Sequence, residues 1–148
     1  MINGKTIARL ACVQALFLYE YEERTKNFRN IIDVMLSYYC DSAVSEDFRG
    51  NKIVIHKNYF LDLSNLTFKH LSLIDKRLEE MLHSDTELLS LSIIRVGACE
   101  ILYKNSAPIK VVINEFTNIS AAFDLNPSLV NSILDKLGGS IGQNIAEI

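Results

Sequence analysis

The side chains able to do chemistry in this 148-residue chain are few and scattered. Before Glu20 the only charged residues are Lys5 and Arg9. They are four apart, so on a helix they share a face. That face lies near the helix N-terminus, where unpaired N–H groups and the dipole suit a phosphate. Two cations alone are a weak footprint, with a salt slope of only about −1.4 on single-stranded RNA. An ordinary solvated helix face is the commoner origin of such a pair. Glu80-Met81-Leu82-His83 has the Glu-x-x-His spacing that places two di-iron ligands on one helix face, and Glu20 and Glu23 are also three apart. A di-iron bundle needs a second Glu-x-x-His, and the chain has none, so the expectation is no metal and a solvated helix end. His56 and His70 are isolated and read as a loop residue and a helix-face residue. Neither the glycine spacing nor any serine context fits a phosphate loop or a nucleophile elbow. No catalytic residue and no cofactor are expected.

Composition narrows the setting. The chain is 49% hydrophobic, enough for one packed domain or two small lobes sharing a core. Fifteen Lys and Arg against 18 Asp and Glu give a formal charge of −3, which excludes a globally basic coat but not a local basic spot. Cys12, Cys40 and Cys99 are odd in number and widely spaced. That argues against a disulfide framework or a cysteine zinc site and for a reducing, cytoplasmic setting. Cys99 reads as a small core residue. No apolar run reaches membrane-span length.

The elements that must position these residues are helical. From Thr6 to Tyr21, Ile7, Leu10, Ala11, Ala15 and Leu18 recur along one face. A second helix is expected from about Asn27 to Tyr39, with Ile31, Ile32, Met35, Leu36 and Tyr39 inward. Cys40 to Asn58 reads as a loop. Tyr59 to His83 is periodic and forms either one bent helix or, if Ser64 and Asn65 interrupt it, two. Ser84 or Asp85 is expected to cap a helix running to about Tyr103 that is apolar nearly all round, with Gly97 and Ala98 permitting close approach of a neighbour. Ile109, Val112, Ile113, Phe116, Ile119 and Phe123 follow a helical period after Pro108. Asn126 and Pro127 start the last helix, and Gly138 and Gly139 are expected to stop it. The expected fold class is all-α, six or seven helices, with any lobe boundary between residues 83 and 85.

Leu91 to Lys136 resembles the NusB family of bacterial transcription antitermination factors. The resemblance rests on Ile94-Arg95, Glu100-Ile101-Leu102, Pro108-x-Lys110-Val111-x-Ile113-Asn114-Glu115, Ala121 and Phe123, and Val130-Asn131-x-x-Leu134-Asp135-Lys136. Ala8-Arg9 and Val13-Gln14-Ala15-Leu16-Phe17 resemble the family's opening. It implies two small helical bundles packed side by side, within a single domain over residues 1–148 whose lobes span about 1–83 and 84–148. It also implies a non-catalytic factor that pairs with the ribosomal protein NusE, binds the single-stranded boxA element of nascent ribosomal RNA transcripts, and joins the RNA polymerase antitermination complex. By the same resemblance, RNA contacts fall at the start of the first helix, here Lys5 and Arg9, and around the start of the last, here Phe123, Asp124, Ser128 and Asn131.

This sequence departs from the family at both places. The opening, Asn3-Gly4-Lys5-Thr6-Ile7, has one lysine where the family has several arginines, and no lysine lies between Phe123 and Val130. Either RNA binding leans more on the partner, or the RNA lies on other residues. Asn131 could equally cross-link helices, Arg95 and Glu100 are expected to tie helices together, and Asn114 and Glu115 to hold the turn before their helix. The alternatives are a protein-binding helical adaptor that has lost specific RNA recognition and, lower, a relative of the RNA-binding domain on ribosomal RNA methyltransferases. A homodimer is compatible with the sequence. Replacing Lys5 and Arg9 together by Ala is expected to weaken RNA binding with little loss of stability.

Overall fold

In a computed structural model of the chain, residues 3–41 and 54–146 are described. They form six α-helices: α1 (Gly4–Tyr21), α2 (Phe28–Asp41), α3 (Lys57–Leu78), α4 (Leu88–Cys99), α5 (Ile109–Ala122) and α6 (Pro127–Ala146). Between α4 and α5, Glu100–Lys104 winds as a π-turn. No strand occurs among the described residues, and no helix among them is long and apolar enough to cross a membrane. Most of the expected loop between α2 and α3, residues 42–53, lies outside the described residues.

The helix starts follow local chemistry. Asn3 caps α1, its side-chain oxygen accepting from the Lys5 and Thr6 amides at 3.0 and 2.9 Å. His56 Nδ1 accepts from the Tyr59 amide at 3.1 Å and caps α3. The His56 amide in turn donates to the Gly4 carbonyl at 3.0 Å, tying the start of α3 to the start of α1. Asn126 Oδ1 accepts from the Leu129 amide at 3.1 Å, and Pro127 follows as the first residue of α6.

Of the alternatives open for α3, one helix or two, the structure has a single helix through Ser64 and Asn65, and Ser64 is fully buried within it. Other expectations need correction. α4 starts at Leu88 and not at Ser84 or Asp85. The Thr86 amide and hydroxyl both bond back to the His83 carbonyl, so residues 83–86 close a turn of their own. α6 continues past Gly138 and Gly139 to Ala146. A Cβ at Gly138 would stand 2.8 Å from Ile109 Cγ2, so that glycine serves helix contact. The buried side of α1 holds Ala8, Arg9, Ala11, Cys12, Val13, Ala15 and Leu16, while Ile7 and Leu10 are only partly buried. Thus α1 is turned relative to the face its apolar spacing suggests.

The core is organised around α4. It touches α1, α3, α5 and α6, and every residue from Ser92 to Cys99 is buried. At Gly97 a Cβ would meet Leu134 Cδ1 at 2.8 Å and Phe116 Cδ2 at 3.3 Å, so α5 and α6 approach this helix at van der Waals contact because no side chain intervenes. Phe60, Leu63, Ile74 and Leu78 of α3 and Leu16 of α1 close the other side. On the outer side of α1, the rings of Tyr19 and Phe68 meet edge-on at 5.1 Å, and Phe68 stacks on Phe28 at 4.7 Å, which holds α2 against α1 and α3.

Three measurements test this core. Ile94 is fully buried, so Ile94→Ala should lower unfolding free energy in urea by about 2–5 kcal/mol; a change near zero would contradict a surrounded α4. Burial raises the Cys12 thiol from 9.0 to about 12 and the Cys99 thiol from 9.0 to about 11, whereas Cys40 is exposed. The folded state therefore holds both buried thiols neutral at pH values where the unfolded chain releases the protons. Stability should be intact below pH 9 and fall as pH rises from there toward 11 and 12. In native protein at pH 8, one thiol should react with a thiol-specific reagent, and all three after denaturation.

Candidate nucleic-acid interface

Arg9 is only 2% exposed and does not lie on the solvated face of α1. Its Nε donates to Glu100 Oε1 at 2.7 Å and its Nη2 to Glu100 Oε2 at 2.8 Å, a two-pronged match of guanidinium to carboxylate. The remaining donors reach Glu115 Oε1 at 3.2 Å and the Tyr59 hydroxyl oxygen at 3.0 Å. Tyr59 passes its own proton on to Glu100 Oε2 at 2.7 Å. One buried cluster thus joins α1, α3, the π-turn and α5. Burial opposes the Arg9 charge, but the hydrogen bond and attraction of Glu100, with Tyr59 and Glu115, outweigh it and raise the guanidinium above its usual range. Burial likewise raises the Tyr59 hydroxyl, so it stays protonated.

The outward side of this cluster is a cationic rim on Tyr59. Lys104 Nζ lies 4.2 Å from the ring centroid, Arg9 Cζ 5.1 Å and Lys5 Nζ 5.3 Å. Lys104 also pairs with Asp62 at 2.7 Å. Lys5 is exposed. Asn3 already occupies the Lys5 and Thr6 amides, so those N–H groups are not open donors and the rim depends on ammonium groups.

Thr6 connects the rim to the second patch. Its hydroxyl donates to Glu115, with oxygens at 3.0 and 3.1 Å. It then lines a largely apolar groove of about 290 Å³ with Ile7, Leu10, Glu115, Asn118 and Phe123. Phe123 is 41% exposed and lies just past α5, outside the helical period expected to bury it. The chain reverses at Asp124, which adopts a left-handed φ of 55°, and the Leu125 amide closes the turn on the Ser120 carbonyl at 3.0 Å. Asp124, Ser128 and Asn131 are exposed on this turn and the first turns of α6.

Of the residues singled out in the sequence, Lys5 and Arg9 meet at Tyr59 on opposite sides of the surface, and Phe123 joins Thr6 across the groove. Arg95 ties helices as expected: its Nε and Nη2 grip Asp75 of α3 at 2.7 and 3.1 Å, and Nη1 stands 3.8 Å from Glu20 of α1. Glu115 binds Arg9 and Thr6, so it locks α5 to α1 where it was expected to hold a turn. Glu80 and His83 fall in the turn beyond α3, not on a helix face. Glu20 pairs with Arg24, while Glu23 sits outside α1 with a φ of 54°. Among the described residues no group of three or more His, Cys, Asp or Glu could hold a metal ion. His70 stacks flat on Tyr103 at 3.9 Å. Tyr59 and Lys104 escaped the sequence reading. The available signal was Glu100, the one acid between Leu88 and Lys104 in a largely apolar stretch, which needs a partner if it is buried.

The burial of Arg9 overturns the expectation that its loss is mild. Arg9→Ala leaves the Glu100 carboxylate, fully buried as a side chain, without its partner. It should destabilise the fold by about 3–5 kcal/mol in chemical denaturation. A loss below about 1 kcal/mol would mean that water or another cation replaces Arg9.

Comparison with known proteins fits this architecture. The sequence model of the NusB family matches residues 6–138. The chain is similar to proteins named transcription antitermination protein NusB from Rickettsia bellii, 34% identical over 143 residues covering 92% of this chain and 90% of that one. It is similar to the protein of the same name from Rickettsia typhi, 35% identical over 146 residues covering 92% of each. Its fold resembles the solved structure of T. maritima NusB, with a TM-score of 0.74 and 22% identity over 94% of this chain and 93% of that one. The family model covers most of the chain and the relatives match along nearly its whole length, so the chain belongs to the NusB family.

Proposed function

We propose that this chain is a non-catalytic transcription antitermination factor that binds single-stranded boxA RNA together with the ribosomal protein NusE, within the cytoplasmic RNA polymerase antitermination complex. The names of its relatives support the antitermination role. The observation that carries the RNA reading is that Thr6, beside Lys5 at the start of α1, and Phe123, past the end of α5, wall one groove. Single-stranded RNA is recognised by cations along its phosphates and by rings that stack its unpaired bases. Lys5 supplies the first, Phe123 the second, and the exposed Asp124, Ser128 and Asn131 offer hydrogen bonds to base edges. Arg9 acts here as a positioning residue, holding the start of α1 against Tyr59 and Glu115, and does not reach outward.

One observation favours the adaptor as a second reading. With Arg9 buried, Lys5 is the only exposed cation in the opening of α1. An acidic chain with so small a cationic face depends on its partner for much of its grip on RNA.

A titration with boxA and a scrambled RNA, with and without NusE, tests both readings. Expected are salt-dependent binding, preference for boxA, and tightening by NusE. Lys5→Ala should weaken binding and flatten the salt slope by about 0.7 without loss of thermal stability. Binding of NusE combined with indifference to boxA sequence would instead establish the adaptor.

A further inference from the structure

The geometry points to the Lys104–Asp62 pair as a latent phosphate site: Lys104 extends the RNA track begun by Lys5, and the Asp62 carboxylate competes with the RNA phosphate for its ammonium. This rests on the RNA reading above. Three observations carry it. Lys104 and Lys5 are 99 residues apart in the sequence, yet their ammonium groups converge on the ring of Tyr59, at 4.2 and 5.3 Å. Both ammonium groups lie against one ring, close enough to serve one strand. Next, the two members of the pair differ in their exposure to solvent. The Lys104 side chain is 10% exposed and Asp62 is 57% exposed, so the lysine is held in place by the ring while the acid stands in water and can swing away. Finally, the placement is built by the backbone. The Asn105 amide reaches back to the Glu100 carbonyl at 2.8 Å, an i→i+5 closure, and Asn105 ends the turn with a left-handed φ of 49°.

Asp62 is the exposed member of the pair, so removing its charge should cost little stability and leave the fold intact. A phosphate approaching between Lys5 and Lys104 meets one ammonium that is free and one that Asp62 must release. Asp62 thereby lowers affinity for RNA of any sequence and leaves discrimination to the groove at Phe123.

The test uses the full chain, boxA RNA and a scrambled RNA of equal length, titrated over a series of salt concentrations. Asp62→Asn should tighten binding of both RNAs about three- to tenfold at low salt and steepen the slope by about 0.7, the share of one added phosphate contact on a single strand. A gain of affinity cannot come from a misfolded protein. Lys104→Gln should weaken binding by a similar factor. In the Lys104→Gln background, Asp62→Asn should have no further effect. If the gain persists in that background, Asp62 acts by general repulsion and the proposal fails. If Asp62→Asn changes neither affinity nor slope while the unmodified protein still selects boxA, the proposal fails and the RNA reading stands. If the unmodified protein binds neither RNA, with or without NusE, both fall.

Discussion

A carboxylate buried in the centre of an apolar bundle is the constraint on which this structure turns. Glu100 follows directly on α4, among residues that are otherwise nearly all aliphatic, and its side chain has no access to water. Unpaired, such a charge would cost several kcal/mol. Arg9 meets both of its oxygens and Tyr59 adds a third hydrogen bond. Satisfying Glu100 therefore requires α1 to lie against the end of α4 in one rotation only, with α3 close enough to deliver the Tyr59 hydroxyl. Apolar burial would tolerate several rotations of a short-side-chain helix like α1, whose inner face is mostly Ala, Cys and Val. The ion pair selects among them, a role in specificity more than in net stability.

That selection divides the molecule into scaffold and surface. Arg9 is the cation that sequence position would assign to RNA, and it is taken inward. What remains at the rim is Lys5, exposed and one turn earlier on α1, and Lys104, mostly covered at the end of the π-turn, both gathered on the ring that Arg9 and Glu100 hold in place. Phe123 escapes the core for a related reason. The turn at Asp124 ends α5 one residue before its apolar period would have buried that ring, which leaves an aromatic at the mouth of an apolar groove. On the proposed reading, recognition elements are the residues for which the core has no room.

Much of the fold was legible because its signals are local. The Asn126-Pro127 start of α6, the inward residues of α2 and the surrounded character of α4 follow from capping chemistry and periodicity, and the structure bears them out. Errors arose where a distant contact overrode a local signal. Lys5 and Arg9 are four apart and look like one wet face, but Arg9 answers to a carboxylate 91 residues away. Gly138-Gly139 looks like a stop, but the close approach of Ile109 makes the first glycine a packing position. The α4 start shifted because Thr86 closed its own turn on His83. At the candidate site, Lys5, Arg9 and Phe123 stand out through the family resemblance, whereas Tyr59, the ring on which Lys5 and Arg9 gather, carries no local signal.

The π-turn links these arguments. An α-helix advances about 100° per residue, so one extra residue in a turn rotates everything after it by roughly that angle. Were Glu100–Lys104 to continue as α-helix, Glu100 could still point inward, because it precedes the closure. Lys104 lies at the far end of the widened turn and would point elsewhere. The turn thus lets a single five-residue stretch present an acid to the core at its first position and an ammonium to the Tyr59 ring at its last. The same backbone irregularity that follows the satisfied charge inside places the Lys104 ammonium on the Tyr59 ring. In this fold, the meeting of Lys104 with Lys5 on one ring is a consequence of one local departure from helical regularity.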